Sequence, residues 1–509
     1  MIPEIKTVNK HQTLFVNNKP FFCYAGEVHN SSASNLSYME SAVWPNLKGL
    51  NLNTLILPIY WECLEPSPDV FDFSLIDGLI KQARENNMHL ILIWFGLWKN
   101  AESMYVPSWI KKDSRTYFRA KTINGNKLNS ISPFCEAAIK RDSNAFKELM
   151  AHIKKIDQDQ STVLMIQVEN EIGLLGSDRD YSTLANQAFE SAIPASLAEK
   201  LNVTGNWRQS FGENAPEFFM AYHYAQAVEF ITQSGQAEYP LPCYTNAWLR
   251  QYPWSPGTYP SGGPVVETHP IWKATAPSLF TLAPDIYVPY VSQVLDEYTT
   301  LNNPLVVPEV RKDSTTASYA LYAFANHNAI CYSPFGIEEI TLPPEEVDIP
   351  PLAVMQELNI DPSAFNIRNS ATFLSQTYEL IENLKPLFLK DSKNRYCFIK
   401  RDEYDYGRLI SLKNYNALVS FAPRQDSKPI ASGGIIELSP DIFVIFGMMA
   451  TLTFSPKPGE NVQVEIIELS KGKFINNEWQ KERILNGDEK MRISLPETPS
   501  CFLIELYKY

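Results

Sequence analysis

Val163-Leu164-Met165-Ile166-Gln167-Val168-Glu169-Asn170-Glu171-Ile172-Gly173 is a short apolar run that ends on acidic and amide side chains and a glycine. A second run, Leu305-Val306-Val307-Pro308, delivers Glu309 in the same way. Continuous aliphatic runs of this kind are the pattern of strands buried on both faces, as in a parallel sheet. When such strands close into a barrel, their C-terminal ends converge on one mouth, where active sites are built. Two carboxyl groups at that mouth, one holding its proton and one ionised, are the minimal equipment for cleaving a glycosidic bond.

Outward from these runs, strand and helix patterns alternate, which is the signature of parallel α/β architecture. Phe21-Phe22-Cys23-Tyr24-Ala25 reads as strand one, followed by a helical stretch over 39–50. Asn53-Thr54-Leu55-Ile56-Leu57 is strand two, and Ser74 is the expected N-cap of the next helix. That helix sets Leu75, Ile76, Leu79, Ile80 and Ala83 on one face. Strand three is His89-Leu90-Ile91-Leu92-Ile93-Trp94, with a helix over 143–156. The Val163 run is strand four, with a helix over 217–232 after a long insertion. Pro242-Cys243-Tyr244-Thr245-Asn246 and Asp285-Ile286-Tyr287-Val288 are strands five and six. The Leu305 run is strand seven, with a helix over 318–325. Ala329-Ile330-Cys331-Tyr332-Ser333 is strand eight, with a helix over 367–384. Eight such units fill a (β/α)8 barrel. After Pro386 the texture changes to short alternating runs between turn residues, such as Arg408-Leu409-Ile410-Ser411-Leu412 and Ala417-Leu418-Val419-Ser420-Phe421. That is the pattern of an antiparallel β-sandwich. The expected domains are therefore a barrel over 1–386 and a sandwich over 387–509.

Composition narrows the function. A net charge of -13 argues against nucleic acid or an anionic membrane as partner. No window reaches the ~20 apolar residues of a membrane span, and the N-terminus has no apolar signal segment. A complete chain of this kind is expected in the cytoplasm, and a trimmed one in the periplasm or outside the cell. The seven cysteines show no CxxC spacing, so neither disulfide framework nor zinc site is expected. No HxH or HExxH pattern appears. Glu27-Val28-His29 comes nearest to a metal pair, and it reads better as a polar strand end lining a pocket. The expectation is no metal, no cofactor, a small carbohydrate as partner, and room for a homo-oligomer.

The motifs now carry a resemblance. Gln167-Val168-Glu169-Asn170-Glu171-Ile172-Gly173 resembles the Gln-Val-Glu-Asn-Glu-Tyr-Gly signature of glycoside hydrolase family 35, the β-galactosidases of clan A. Gly26-Glu27-Val28-His29 resembles that family's Gly-Ser-Ile-His at strand one. Trp61-Glu62-Cys63-Leu64-Glu65-Pro66, with Phe71-Asp72-Phe73 downstream, is similar to its Trp-Asn-Leu-His-Glu-Pro and Phe-Asp-Phe. The resemblance covers about the first 340 residues and is greatest with a bacterial branch whose barrel precedes a β-sandwich. It implies that Glu171 is the acid/base and Glu309 the nucleophile of a retaining, exo-acting hydrolase. Asn170, beside the acid, is suited to donate to the sugar 2-hydroxyl.

Strand three departs from the family. Its Gly-Pro-Tyr-Ile-Cys-Ala-Glu-Trp block, which holds galactose hydroxyls, is replaced by Trp94-Phe95-Gly96-Leu97-Trp98-Lys99-Asn100-Ala101. Lys99 or Asn100 is then expected in place of the glutamate. Aromatic rings suit the apolar faces of sugars, and Trp61, Trp98, Trp248 and Tyr287 are the expected platforms, with His29 and Glu62 as further polar contacts. Three readings stand: a β-galactosidase acting on oligosaccharides, a hydrolase for another β-glycoside such as a glucosaminide or arabinopyranoside, and a non-catalytic sugar-binding barrel.

Overall fold

The computed structural model of the chain describes residues 1–250, 253–347, 349–357, 360–475 and 477–509. Eight strands close a barrel: β1 (Cys23–Glu27), β2 (Thr54–Tyr60), β3 (His89–Lys99), β4 (Val163–Asn170), β5 (Cys243–Trp248), β6 (Leu279–Ile286), β7 (Val306–Val310) and β8 (Cys331–Pro334). Each strand pairs in parallel with its neighbours in chain order, and β8 pairs with β1. Long helices cover the barrel, among them Glu136–Asp157, Ala215–Glu238, Thr316–His327 and Ser370–Phe388. No helix among the described residues is long and apolar enough to cross a membrane, and all seven cysteines are free.

Several expected elements move. Strand six ends near Asp285 rather than starting there, because the strand begins at Leu279 and carries Pro284. Proline inside a strand normally argues against the assignment, which hides Phe280 to Pro284 from a sequence reading. Ser74 is the first helical residue and not the cap: its N–H donates to Asp72 Oδ1 at 2.9 Å. The stretch over 39–50 is not one helix but a chain of short pieces, Leu36–Tyr38, Met39–Val43 and Trp44–Leu47. Pro45 lies in the last piece and withholds an N–H from any continuous helix. Residues before the barrel form a three-stranded sheet of Glu4–Val8, His11–Val16 and Lys19–Phe21, so Phe21 belongs to it and not to β1.

The helix Ser370–Phe388 runs through Pro386, and the sandwich follows. One sheet has six strands and the other four, all paired antiparallel. The sandwich docks on the helix that follows β7. Ser318 Oγ donates to the Ile430 carbonyl at 2.8 Å and accepts from the Ile430 N–H at 3.0 Å, while Ser432 Oγ donates to the Ser318 carbonyl. Helix Thr316–His327 is buried over ten consecutive residues between the barrel and this sheet. The sandwich thereby backs the element that follows the Glu309 strand.

A buried carboxyl pair shapes the end of β3. Glu169 accepts from the N–H groups of Leu97 at 3.1 Å and Trp98 at 2.7 Å. Asp142 accepts from Trp94 Nε1 at 2.6 Å and from the Leu97 N–H at 2.8 Å. Burial and mutual repulsion push the Glu169 carboxyl well above the usual range, so the pair keeps a proton between its members. These bonds satisfy the backbone where the β3–β4 register shifts between Trp94 and Lys99. Gly96 sits against them: a Cβ there would lie 2.4 Å from Trp94 Nε1, 2.5 Å from Asp142 Oδ2 and 2.7 Å from Glu169 Oε1. Gly96→Ala is expected to destabilise the fold by about 1–3 kcal/mol through overpacking. The check is a lower urea midpoint at an unchanged m value; an unaltered midpoint would mean that the pair yields without cost.

Candidate active site

Glu169, Asn170 and Glu171 stand where β4 leaves the barrel, and Glu169 and Glu171 take φ of 63° and 47°. Left-handed backbone is uncommon outside glycine and clusters where a surrounding network holds it. Here the Glu171 N–H donates to Asn246 Oδ1 at 2.9 Å, and the carbonyls of Asn170 and Glu171 accept from the N–H groups of Asn100 and Ala101. The ends of β3, β4 and β5 therefore fix the direction of the Glu171 side chain.

The side chains meet in a cavity of about 1140 Å³ at the barrel mouth. Carboxyl oxygens of Glu171, Asp285 and Glu309 lie within 4.8 Å of one another, and all three residues are buried. Asp285 faces Glu309 across the β6–β7 pair, and Asn246 Nδ2 donates to Asp285 Oδ2 at 2.6 Å. Tyr287 donates a short hydrogen bond to Glu309 Oε1. Glu27 at the end of β1 is 2% exposed and belongs to the same charge cluster. The ammonium that faces this cluster is Lys99, 5% exposed.

The electrostatics separate the two glutamates. Burial, then the charge of Glu309, raises the Glu171 carboxyl to about 7, against weaker downward pulls from Lys99 and Asp285. Burial also raises Glu309, but the Lys99 charge, the Tyr287 hydroxyl and His29 draw it back. Glu171 is thus poised to hold a proton near neutrality, while Glu309 has cationic and hydrogen-bonding support for its ionised form. Glu27 and Asp285 are pushed well above the carboxylate range, first by burial and then by Glu309.

His29, Lys99, Asn100, Trp248 and Tyr287 line the cavity with the two glutamates. His29 Nε2 lies 3.0 Å from Glu339 Oε2, and Lys312 Nζ pairs with the same oxygen. Burial opposes ionisation of Glu339, but hydrogen bonds from His29 and Lys312 carry it down to about 2. Asn170 is fully buried beside the site, and neither of its amide atoms has a hydrogen-bond partner among the described residues. Three expected contacts lie elsewhere. Trp61 is fully buried with Nε1 on Glu65 Oε2, and Trp98 is fully buried with Nε1 on the Ile131 carbonyl. Both fill the core, because strand-end indoles with an internal acceptor gain more from burial than from waiting at a mouth. Glu62 pairs with Lys111 at 3.0 Å and does not line the cavity. Sequence reasoning missed Asp285, Asn246 and Glu27 as site residues. Asp285 was masked by the misplaced strand six, while Glu27 was read as part of a pocket-lining strand end but given no role in the site.

Comparison with known proteins bears on this geometry. Residues 13–249 match the model of glycosyl hydrolases family 35. That match spans the first five strands of the barrel, β1 to β5. Residues 374–495 match a domain of unknown function, DUF5597. Among solved structures, the β-galactosidase from Bacillus circulans sp. alkalophilus aligns with a TM-score of 0.50 at 10% identity, over 95% of this chain and 99% of that one. The β-galactosidase from the psychrophilic Marinomonas ef1 aligns at 0.44 and 10% identity, over 71% of this chain and 68% of that one. No curated protein matches the sequence. The chain is a glycoside hydrolase, similar to family 35 over residues 13–249.

Proposed function

We propose that the protein is a retaining, exo-acting β-galactosidase that releases terminal β-linked galactose from oligosaccharides by double displacement. The observation that carries this reading is the approach of the Glu171 and Glu309 carboxyl oxygens to within 4.8 Å at the mouth of one cavity. Retaining enzymes hold their carboxyl groups about 5–5.5 Å apart, whereas inverting ones need about 6.5–9.5 Å to admit a water. In the first step Glu309 attacks the anomeric carbon while Glu171 gives its proton to the departing glycosidic oxygen. In the second, Glu171 takes a proton from water, whose oxygen displaces Glu309 from the sugar. In this reading Asn170, whose amide atoms have no hydrogen-bond partner among the described residues, meets the 2-hydroxyl, a contact that strengthens in the transition state.

An oligosaccharide fits the cavity better than a disaccharide. Its volume of about 1140 Å³ exceeds the range of about 300–1,000 Å³ usual for small-molecule pockets. Its lining includes the apolar Tyr287, Phe335, Pro350, Pro351 and Phe365 and the polar Ser31, Ser34, Asn35, Ser37 and Ser41. Such a mixed lining suits sugar rings, which have apolar faces and hydroxylated edges. Free cysteines throughout fit a reducing compartment such as the cytoplasm.

A panel of nitrophenyl β-glycosides, with the first-formed anomer followed by proton NMR, tests the reading. Release of β-galactose in preference to other sugars is expected. Initial release of the α-anomer would exclude retention, and preference for an arabinopyranoside would move the substrate assignment to that sugar. Asn100 carries the hydroxyl recognition that strand three has rebuilt, with Oδ1 buried and unpartnered among the described residues. Asn100→Ala is expected to lower kcat/KM by roughly 10–100-fold, the cost of a buried hydroxyl contact. An unchanged kcat/KM would send that recognition to another strand end.

A further inference from the structure

Beside the two catalytic glutamates stands a third buried carboxyl that double displacement does not require. Asp285 lies at the end of β6 and lines the cavity with an exposure of 3%. Its Oδ2 accepts from Asn246 Nδ2 at 2.6 Å, and its Oδ1 has no hydrogen-bond partner among the described residues. Its carboxyl oxygens come within 4.8 Å of those of both Glu171 and Glu309. The orientation of Asn246 is fixed from both ends. Its Oδ1 accepts the Glu171 N–H, so its Nδ2 must face Asp285. That leaves Oδ1 as the Asp285 oxygen free to carry a proton toward Glu171.

Counting charges decides which form Asp285 takes. Four buried carboxyl groups face one another: Glu27 from β1, Glu171 from β4, Asp285 from β6 and Glu309 from β7. Lys99 from β3 is the ammonium that acts on all four, while His29 is tied to Glu339. Tyr287 is spent on Glu309. One ammonium offsets one carboxylate, and additional unpaired buried carboxylates are costly enough to neutralise instead. Glu309 must be the ionised member, since it is the nucleophile and receives the Tyr287 hydroxyl.

We propose that Asp285 is a positioning residue for the acid/base: held by Asn246, its O–H donates to Glu171 and stabilises the carboxylate that Glu171 becomes on protonating the leaving group. The inference rests on the reading of Glu171 as acid/base. In the first step the Glu171 proton passes to the glycosidic oxygen as the bond to the anomeric carbon breaks and the bond to Glu309 forms. Asp285 keeps its own proton throughout and hydrogen-bonds the new carboxylate. In the second step water returns a proton to Glu171, and the hydrogen bond relaxes. Asp285 thus makes Glu171 a stronger acid than burial and Glu309 alone would leave it.

The test is the pH profile of kcat/KM for Asp285→Ala and Asp285→Asn, on a glycoside with a poor leaving group and on a dinitrophenyl glycoside. Loss of the donor in Asp285→Ala should move the alkaline limb up by about one pH unit. Turnover of the poor-leaving-group substrate should fall by roughly 10–100-fold, with the dinitrophenyl substrate nearly unaffected. Asp285→Asn keeps a donor, since Asn246 holds its carbonyl and leaves its amide facing Glu171, and should restore both limb and rate. An unmoved limb in Asp285→Ala, equal losses on both substrates, or an asparagine variant no better than alanine would each overturn the inference. Asn246→Ala, which releases the Asp285 carboxyl, supplies a second reading if Asp285→Ala does not fold: its limb must move the same way. Glu171→Ala measured alongside separates the two claims. If it discriminates between leaving groups while Asp285→Ala does not, only the role of Asp285 fails.

Discussion

Glu309→Ala is expected to lower kcat on an aryl galactoside by at least about three orders of magnitude, the usual consequence of removing a nucleophile. The fold should survive, because the Glu309 side chain points into the cavity and its truncation strands one hydroxyl, that of Tyr287. Added azide should restore turnover by entering the vacated space from the face Glu309 uses, yielding the α-galactosyl azide. Glu309 also raises Glu171 through its charge. Its loss should therefore shift the alkaline limb of the azide-rescued reaction to lower pH. Retention of most activity in Glu309→Ala, with no azide product, would remove Glu309 from the nucleophile's role.

Glu171→Ala should divide substrates by leaving group. Glycosides whose leaving oxygen needs a proton are expected to lose roughly 10²–10⁴-fold in kcat/KM, the range for general acid catalysis. Dinitrophenyl glycosides, whose leaving group departs as an anion, should lose far less in that parameter. In the wild type the reactive form has Glu171 protonated and Glu309 ionised. The Glu171 carboxyl sits at about 7, so activity should be present below that value and decline as pH rises through it. Glu309 is raised from the ordinary carboxylate range, so the acid limb should lie above the pH at which exposed glutamates titrate. Stability carries the same sign for Glu171. A carboxyl raised in the fold favours the folded state below its unfolded value, and that contribution is lost as pH rises toward 7. A kcat/KM profile flat from pH 6 to 8, or equal losses on both substrate types, would take the acid role from Glu171.

The strand-end glutamates were legible because their signals are local. An apolar run followed by Glu169-Asn170-Glu171, and another followed by Glu309, fix strand, direction and mouth in one reading. The barrel and the sandwich were legible for the same reason, since periods and turn residues are written along the chain. Asp285 was not. Pro284 broke the strand pattern one residue before it, so a residue next to the end of β6 looked like the one that begins it. Trp61 and Trp98 were misplaced because nothing in a tryptophan's neighbours says whether its N–H finds an acceptor inside. Here Glu65 and the Ile131 carbonyl supply them, from four residues and thirty-three residues away.

The sequence alone located the two glutamates proposed as the catalytic pair, the parallel barrel that holds them and the antiparallel domain that follows, since each depends on residue type at short spacing. Tertiary structure alone decided what surrounds the pair. Lys99 meets carboxyl groups from β1, β4, β6 and β7 only because the barrel closes. Asn246 joins the Glu171 backbone to the Asp285 side chain across two strand boundaries. Protonation follows the sum of burial and charge over all of these groups, and that sum exists only after strands distant in the chain are brought within a few ångströms.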